Sequence, residues 1–136
     1  MVTVDAVVFC GSGTNRKIAL VRRRNAPYAG YWALPGGFVD MEESLDAAAA
    51  RELQEETGLD CAGRLRQFHT FGNPDRDPRG RNICVAYVTE IPEAAPLCAA
   101  DDAAEASWFP VEALPLLAFD HGEIIAFALK TVKEEM

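Results

Sequence analysis

Three glutamates stand within one helical turn, and their spacing is the first sign of chemistry in this sequence. Glu52, Glu55 and Glu56 occupy positions i, i+3 and i+4 of a segment whose composition favours a helix. On a helical wheel Glu52 and Glu56 share the azimuth of the apolar residues, so two carboxylates are expected to point inward. Like charges at this spacing repel each other, and burial deprives them of solvation.

This concentration of negative charge must be offset. Arg51 is the only basic residue between Asp40 and Glu56, and it is expected to neutralise only one carboxylate. A hard divalent cation prefers oxygen ligands and is one way to neutralise the remainder. The alternative is a solvated acidic face that pairs with basic residues elsewhere. The inward azimuth of two glutamates favours the cation.

The helix that carries these glutamates is the clearest element of the sequence. It is expected over residues 44–57, with Ser44 as its N-cap and Gly58 as the glycine that ends it. Strands are expected at 2–9, 17–24, 32–34, 63–71, 82–90 and 103–109. The short strand at 32–34 is expected to stop at Pro35-Gly36-Gly37.

A second helix is expected at the end of the chain, over residues 121–132 with Asp120 as its N-cap. Strands of mixed order with two separated helices predict an α/β fold, a sandwich in which helices cover both faces of a mixed sheet. At 136 residues the chain has room for one domain.

The helix lies inside a longer motif that resembles the signature of the Nudix hydrolases. The pattern is glycine, five residues, glutamate, seven residues, Arg-Glu-apolar, one residue, Glu-Glu, one residue and Gly-apolar. Every fixed position matches, at Gly37, Glu43, Arg51, Glu52, Leu53, Glu55, Glu56, Gly58 and Leu59. The resemblance implies one Nudix domain over residues 1–136, with an α/β/α sandwich that hydrolyses a nucleoside diphosphate linked to another moiety.

The resemblance also assigns roles to the residues of the motif. Glu52, Glu55 and Glu56 are expected to bind Mg²⁺ or Mn²⁺ together with the backbone carbonyl of Gly37. Arg51 is expected to act in catalysis with Glu52 and Glu55. Such an ion neutralises a diphosphate and activates water, which suits a chain with no visible Ser-His-Asp or Cys-His arrangement.

Other residues of the motif are expected to hold the site in shape. Arg51 and Glu43 are expected to brace the helix and its preceding loop by ion pairing, and Gly58 to close the helix. The Gly36-Gly37 turn brings backbone close to metal and phosphate, where a side chain would obstruct.

The general base is left open by the sequence. Glu52 is one candidate, and an acidic residue outside the motif is the other, namely Asp101, Asp102 or Glu105.

A second informative segment is the loop 74–81, PDRDPRGR, between two expected strands. Its arginines match phosphate geometry, although a solvated hairpin loop with Asp–Arg pairs is the alternative. This loop resembles the corresponding segment of the bacterial and archaeal ADP-ribose pyrophosphatase branch. Three further segments resemble the same branch, namely WALPGGFVD, DDAAEASWFP and LAFDH. The resemblance implies cleavage of ADP-ribose to AMP and ribose 5-phosphate, with Arg76 or Arg79 gripping the diphosphate or the terminal ribose.

Several weaker candidates accompany this reading. Trp32 and Phe71 are candidates to stack on adenine, although aromatic side chains more often belong to the core. His121 is a candidate ligand contact, with capping or packing as its alternative. Other nucleotides (an oxidised deoxynucleoside triphosphate, NADH or a nucleotide sugar) are the competing substrates. A non-catalytic ligand-binding domain is a third hypothesis. Related regulators carry an added DNA-binding domain, and we expect none within these 136 residues.

The composition of the chain excludes some classes of binding partner. With 21 acidic against 13 basic residues, the net charge of −8 argues against binding to nucleic acid or to an anionic membrane. The N-terminus does not resemble a signal peptide, and the four cysteines lack metal-site spacing, so we expect free thiols and a cytoplasmic protein. The partner is expected to be a small nucleotide, and the ADP-ribose branch implies a homodimer.

Overall fold

The computed structural model describes residues 1–100 and 103–134. In that part of the chain a seven-stranded sheet lies between two helices. The strands are β1 (Val2–Cys10), β2 (Lys17–Arg23), β3 (Trp32–Ala33), β4 (Gly36–Phe38), β5 (Arg66–Phe71), β6 (Ile83–Ile91) and β7 (Ala103–Pro110). The helices are α1 (Leu45–Thr57) and α2 (His121–Glu134).

Strand β1 is the centre of the sheet. It runs parallel to β6 along its whole length, and antiparallel to β2 and β4. The main path through the sheet is β3-β2-β1-β6-β5, with β7 paired to β2 outside that path. Strands β1 and β6 are buried over most of their residues, which is why both read as nearly continuous apolar runs.

Each helix covers one face of this sheet. On one face Ala48 and Ala49 of α1 pack against Val4 and Tyr87. On the opposite face α2 packs Ile124, Ile125, Ala128 and Val132 into a larger apolar cluster. The predicted sandwich of a mixed sheet between helices is therefore confirmed. Within the described residues, neither helix has the length and apolar character needed to cross a membrane.

The termini of α1 form as the sequence predicts. The side chain of Ser44 accepts a hydrogen bond from the backbone N–H of Ala47 at 3.1 Å, which satisfies one of the exposed donors of the first turn. Gly58 takes the left-handed conformation with φ of 81°, where a side chain would be strained. Both signals act within one turn of the helix, so its two ends could be predicted from the local sequence.

The short strand ends before Pro35 as predicted, at Ala33, but the expectation that Gly36 and Gly37 only interrupt the chain is wrong. Gly36–Phe38 forms β4, which pairs with β1 in the register Val4↔Gly37. Gly36 approaches β1 so closely that an added Cβ would lie 2.1 Å from the carbonyl oxygen of Val4. The glycines therefore permit close strand pairing, although in isolation they resemble a strand breaker.

Candidate active site

A cavity of about 540 Å³ opens between α1, β4 and the loop 74–81. The three glutamates of α1 line it as an acidic wall, and Arg79 of the loop with Phe119, which precedes α2, lines it as a loop wall. Asp5 of the central strand β1 also contributes to the lining. The fold thus brings the two informative segments of the sequence to one cavity.

Two of the three glutamates converge beside the glycine pair of β4. The backbone N–H of Gly36 donates to Oε2 of Glu56 at 2.9 Å. A Cβ added to Gly37 would lie 2.9 Å from the carboxylate of Glu52, so the glycine leaves this carboxylate its space. Burial, and next the neighbouring carboxylates of Glu52 and Asp5, raise the pKa of Glu56 far above its ordinary value. The predicted inward orientation of Glu52 and Glu56 is confirmed.

Arg51 is far more connected than the sequence predicts. It was expected to neutralise one carboxylate, but it contacts four. Its Nε and Nη2 donate to Glu43 at 2.6 and 2.9 Å, and its Nη1 donates to Glu52 at 2.9 Å and Glu55 at 3.2 Å. Asp40 lies 3.7 Å away. Wheel geometry missed Glu43 and Asp40 because both precede the helix and reach Arg51 only after the loop folds back.

This network ties the loop before α1 to the helix. The hydrogen bonds from Arg51, rather than burial, hold the pKa of Glu43 below its ordinary value. Glu43 also accepts from the backbone N–H of Asp40 at 3.2 Å. The bracing of helix and loop that the family resemblance implies for Arg51 and Glu43 matches these contacts.

The donor set suits a divalent cation in part. Glu52 and Glu56 supply carboxylate oxygens beside the Gly37 backbone, and hard cations prefer such ligands. The side chain of Glu55 is 44% exposed and directed to Arg51, so it would have to leave that contact to join them. Within residues 1–100 and 103–134, no three acidic, histidine or cysteine side chains are already arranged around a metal position.

Arg79 is held in the loop wall by an ion pair and two aromatic rings. Its Nε and Nη2 donate to the carboxylate of Asp77 at 2.7–3.2 Å. Its guanidinium carbon lies 5.0 Å from the ring centre of Phe38 and 5.1 Å from that of Phe119, both within cation–π range. Burial would raise the pKa of Asp77, but hydrogen bonds from Arg79 and Asn82 outweigh it and lower that pKa.

Arg76, three residues earlier, also lines the cavity but is almost fully buried. Only 4% of its side chain is exposed, and its Nε and Nη2 form two hydrogen bonds with Asp120 at 2.9 and 2.7 Å. Its Nη1 donates to the carbonyl of Asn82 at 3.3 Å. The side chain of Asp120 was predicted to cap α2, but its carboxylate pairs with Arg76 instead. The backbone carbonyl of Asp120 accepts a hydrogen bond from the N–H of Ile124 at the start of the helix.

The two aromatic candidates do not line this cavity. Trp32 packs edge-to-face on Phe109, with ring centres 4.7 Å apart, against the core below α2. Phe71 lies beside a separate cavity of about 470 Å³ between β5 and α2, where it contacts Phe127. Stacking of either residue on adenine stays a prediction, and their positions favour the core alternative.

The candidates for the general base are also separated. Asp101 and Asp102 lie outside the described residues. The side chain of Glu105 is 57% exposed and pairs with Arg22 at 3.1 Å, and Glu105 does not line the cavity. The side chain of Glu52 is 16% exposed and lines it.

Asp5 and Phe119 are site residues that the sequence reasoning missed. Asp5 accepts a hydrogen bond from the Cys84 thiol at 2.9 Å, and its pKa is lowered although burial alone would raise it. The signal was a charged residue inside an apolar strand. Phe119 has a φ of 52°, an unusual backbone conformation for a bulky residue, and no local sequence feature announces it.

The cysteines are free thiols, with Cys98 exposed and Cys10, Cys61 and Cys84 buried. Burial, followed by the nearby carboxylate of Asp5, raises the pKa of Cys84 above its ordinary value. This thiol is therefore an unreactive hydrogen-bond donor rather than a nucleophile.

Comparison with known proteins gives a consistent result. The model of the NUDIX domain matches residues 1–128. The ADP-ribose pyrophosphatase of Methanocaldococcus jannaschii is 41% identical over 125 residues, covering 91% of this chain and 70% of that protein. The ADPR responsive transcriptional repressor NtrR of Acinetobacter baylyi is 41% identical over 134 residues, covering 94% of this chain and 53% of the repressor.

A solved structure extends the comparison to three dimensions. The NUDIX domain of Shewanella oneidensis NrtR, complexed with ADP ribose, superimposes with a TM-score of 0.86 at 36% identity. The match covers 97% of this chain and 88% of that one. Similarity thus extends to both an enzyme and a ligand-responsive repressor, and this chain spans only about half the length of the Acinetobacter repressor.

Proposed function

The chain belongs to the Nudix family of pyrophosphohydrolases, and on that premise we propose that it hydrolyses ADP-ribose to AMP and ribose 5-phosphate. One observation carries the proposal. The half-buried carboxylates of Glu52 and Glu56 lie beside Gly37 and Gly36, and they line one cavity together with the guanidinium of Arg79. A diphosphate is the group that needs both a cation held by carboxylates and an arginine.

Metal dependence is part of this proposal. Glu52, Glu56 and the carbonyl of Gly37 would hold Mg²⁺ or Mn²⁺, with Glu55 joining after release from Arg51. When bound, the ion supplies positive charge against the diphosphate and activates water for attack. The raised pKa of Glu56 supports this assignment, because a bound cation offsets the burial and the neighbouring carboxylates that disfavour its charged form.

The residues of the chain have distinct parts in the reaction. Arg79 orients the diphosphate or the terminal ribose from the loop wall, whereas Arg76 stabilises the loop from below through Asp120. Water attacks one phosphorus atom, the bridging P–O bond breaks, and the departing phosphate takes the bridging oxygen. We assign the proton of that water to the carboxylate of Glu52, since Glu105 lies outside the cavity in a pair with Arg22.

The decisive experiment is a substrate panel with product chromatography in the presence of Mg²⁺. The panel contains ADP-ribose, NADH, a nucleotide sugar and an oxidised deoxynucleoside triphosphate. We expect the highest kcat/KM for ADP-ribose, with AMP and ribose 5-phosphate in equal amounts and no product in the presence of a chelator. Equal or better efficiency on the deoxynucleoside triphosphate would contradict the substrate while leaving pyrophosphate hydrolysis in place.

A second candidate is an ADP-ribose-binding domain without turnover, favoured by the likeness to the Acinetobacter repressor and the Shewanella NUDIX domain. Retention of every carboxylate of the motif argues for the enzyme instead. Calorimetry with ADP-ribose separates the two, because tight binding with no released AMP would establish the binding role. The exclusion of nucleic acid, the homodimer and the cytoplasmic location stay predictions.

A further inference from the structure

His121, the first residue of α2, joins parts of the molecule that are distant in sequence. It is only 4% exposed. Its Nδ1 accepts a hydrogen bond from the backbone N–H of Leu34 at 2.9 Å, and its Nε2 lies 3.4 Å from Oδ2 of Asp5. Because Nδ1 is the acceptor, a single ring proton resides on Nε2 and faces Asp5.

The backbone that His121 holds leads directly into the acidic wall. Pro35 follows Leu34, and its carbonyl accepts from the N–H of Ala6 at 2.9 Å. Gly36 comes next and donates to Glu56. Residues 34–36 are therefore fixed one after another, and the imidazole fixes the first of them.

Asp5 limits the same segment from the other side. A Cβ on Gly36 would lie 2.2 Å from Oδ1 of Asp5, so backbone and carboxylate are already in close contact. The other oxygen of Asp5 faces Cys84 and His121. A shift of the imidazole would thus free Leu34 and Asp5 together, and both border the start of β4 beside Glu52 and Glu56.

We propose that His121 is a positioning residue of the active site, a neutral imidazole protonated on Nε2 that holds Leu34 and thereby sets Gly36 and Gly37 of β4 against Glu56 and Glu52. The proposal rests on the function proposed above in taking these glutamates as the cation-binding side. Direct proton transfer to substrate is not its role, because both ring nitrogens face protein groups.

Two substitutions separate the two contacts of the ring. In His121→Asn the amide oxygen occupies the place of Nδ1 and retains an acceptor for Leu34. In His121→Gln the amide nitrogen occupies the place of Nε2 and retains a donor for Asp5, while the acceptor for Leu34 is lost. A packing role would make the two variants alike, whereas a positioning role makes them differ.

The first measurement is Mn²⁺ binding by calorimetry on metal-free protein without nucleotide. We expect His121→Gln to weaken Mn²⁺ binding at least about tenfold, as outer partners of metal ligands do, and His121→Asn to stay within about threefold of the wild type. With ADP-ribose, kcat should follow the same order, and KM should change less than kcat. Equal Mn²⁺ affinities in the two variants would overturn the proposal.

The second measurement does not depend on a variant that folds. ¹⁵N NMR of the imidazole in the wild-type protein should show a proton on Nε2 and none on Nδ1. His69 is the other histidine and is exposed, so His69→Gln assigns the signals. A proton on Nδ1 would contradict the proposal. Because neither binding of Mn²⁺ nor the tautomer involves ADP-ribose, a failed substrate assignment leaves both results interpretable.

Discussion

The two walls of the cavity treat charge in opposite ways. On the acidic wall, burial and the neighbouring Glu52 raise the pKa of Glu56 above its ordinary value. On the loop wall, hydrogen bonds from Arg79 lower the pKa of Asp77 in spite of burial. Burial and a neighbouring carboxylate therefore disfavour the charge of Glu56 on the acidic wall, whereas the loop wall keeps its carboxylate ionised through its own arginine.

This difference shows what each wall contributes to binding. A wall whose carboxylate is disfavoured in its charged form gains from a bound cation, because the cation favours that charge. A wall with internal pairs is already ordered, and it orients a ligand at little further cost in conformational entropy. The contrast between Arg76 and Arg79 adds a second level, because the loop rests on one buried ion pair and presents another to the cavity.

The largest effect is expected where that buried pair is broken. Arg76→Leu leaves the carboxylate of Asp120 buried without its partner, and we expect a loss of about 3–5 kcal/mol in the free energy of unfolding. Urea denaturation measures this loss. Arg81→Leu is the matched control, since Arg81 is an exposed arginine of the same loop. Similar losses in the two variants would show that the loop does not depend on the Arg76–Asp120 pair.

The next effect tests the acidic wall, where burial raises the pKa of Glu56. Glu56→Gln keeps the shape of the side chain and removes its charge, and we expect kcat/KM to fall on the order of 100-fold or more, the upper end for partners of a metal site. Without a cation the variant should melt no lower than the wild type, because burial and Glu52 already disfavour the charge that the substitution removes.

Two controls accompany this variant. Glu42→Gln alters an exposed glutamate and should change neither rate nor melting temperature. A clear drop in the melting temperature of metal-free Glu56→Gln would instead identify Glu56 as a structural anion, and the contrast between the walls would disappear.

A smaller effect is expected at the fixed arginine of the loop wall. Arg79→Ala removes a charge-assisted hydrogen bond to the substrate, worth roughly 1.5–3 kcal/mol, so kcat/KM for ADP-ribose should fall at least about tenfold. Steady-state kinetics on ADP-ribose measure the change, with Arg81→Ala as the control from the same loop. Unchanged kinetics would make the loop a solvated hairpin.

The smallest effect concerns pH. The folded pKa of Asp77 lies below its unfolded value of about 3.8, so its contribution to stability is present above that value and is lost as pH falls toward the folded pKa. The free energy of unfolding of Asp77→Asn should therefore be about 1 kcal/mol lower than that of the wild type at neutral pH. Its unfolding free energy should also fall less steeply below pH of about 4. Parallel pH profiles for variant and wild type would show that Asp77 is not held ionised by Arg79.

What could be predicted from sequence follows from the range of each interaction. The ends of α1 are set by Ser44 and Gly58 within one turn, so the bounds of the helix and the inward glutamates were predictable. The strand at Gly36–Phe38 depends on pairing with β1, more than thirty residues away, and its glycines resembled a breaker. The local sequence therefore did not predict β4, the strand whose Gly37 lies beside the carboxylate of Glu52.

The same limit explains the arginines. Arg76 and Arg79 share a loop and a neighbouring aspartate, and the sequence cannot say which is buried. The distinction arises from Asp120, 44 residues beyond Arg76, which only the fold brings near. For Arg51, the partners Glu43 and Asp40 were close in sequence, but the bend of the intervening loop was not encoded in helical spacing.

The position of Asp5 at the middle of β1 has a consequence for how the cavity moves. Its strand is hydrogen-bonded to β6 along nine residue pairs and to β4 on its other side. Amides so placed exchange with solvent only when the whole domain unfolds, while loop amides open locally. We therefore expect the part of the cavity that β1 forms to stay rigid on slow timescales. Any adjustment to a nucleotide then occurs in the loop 74–81 and in the glutamate side chains.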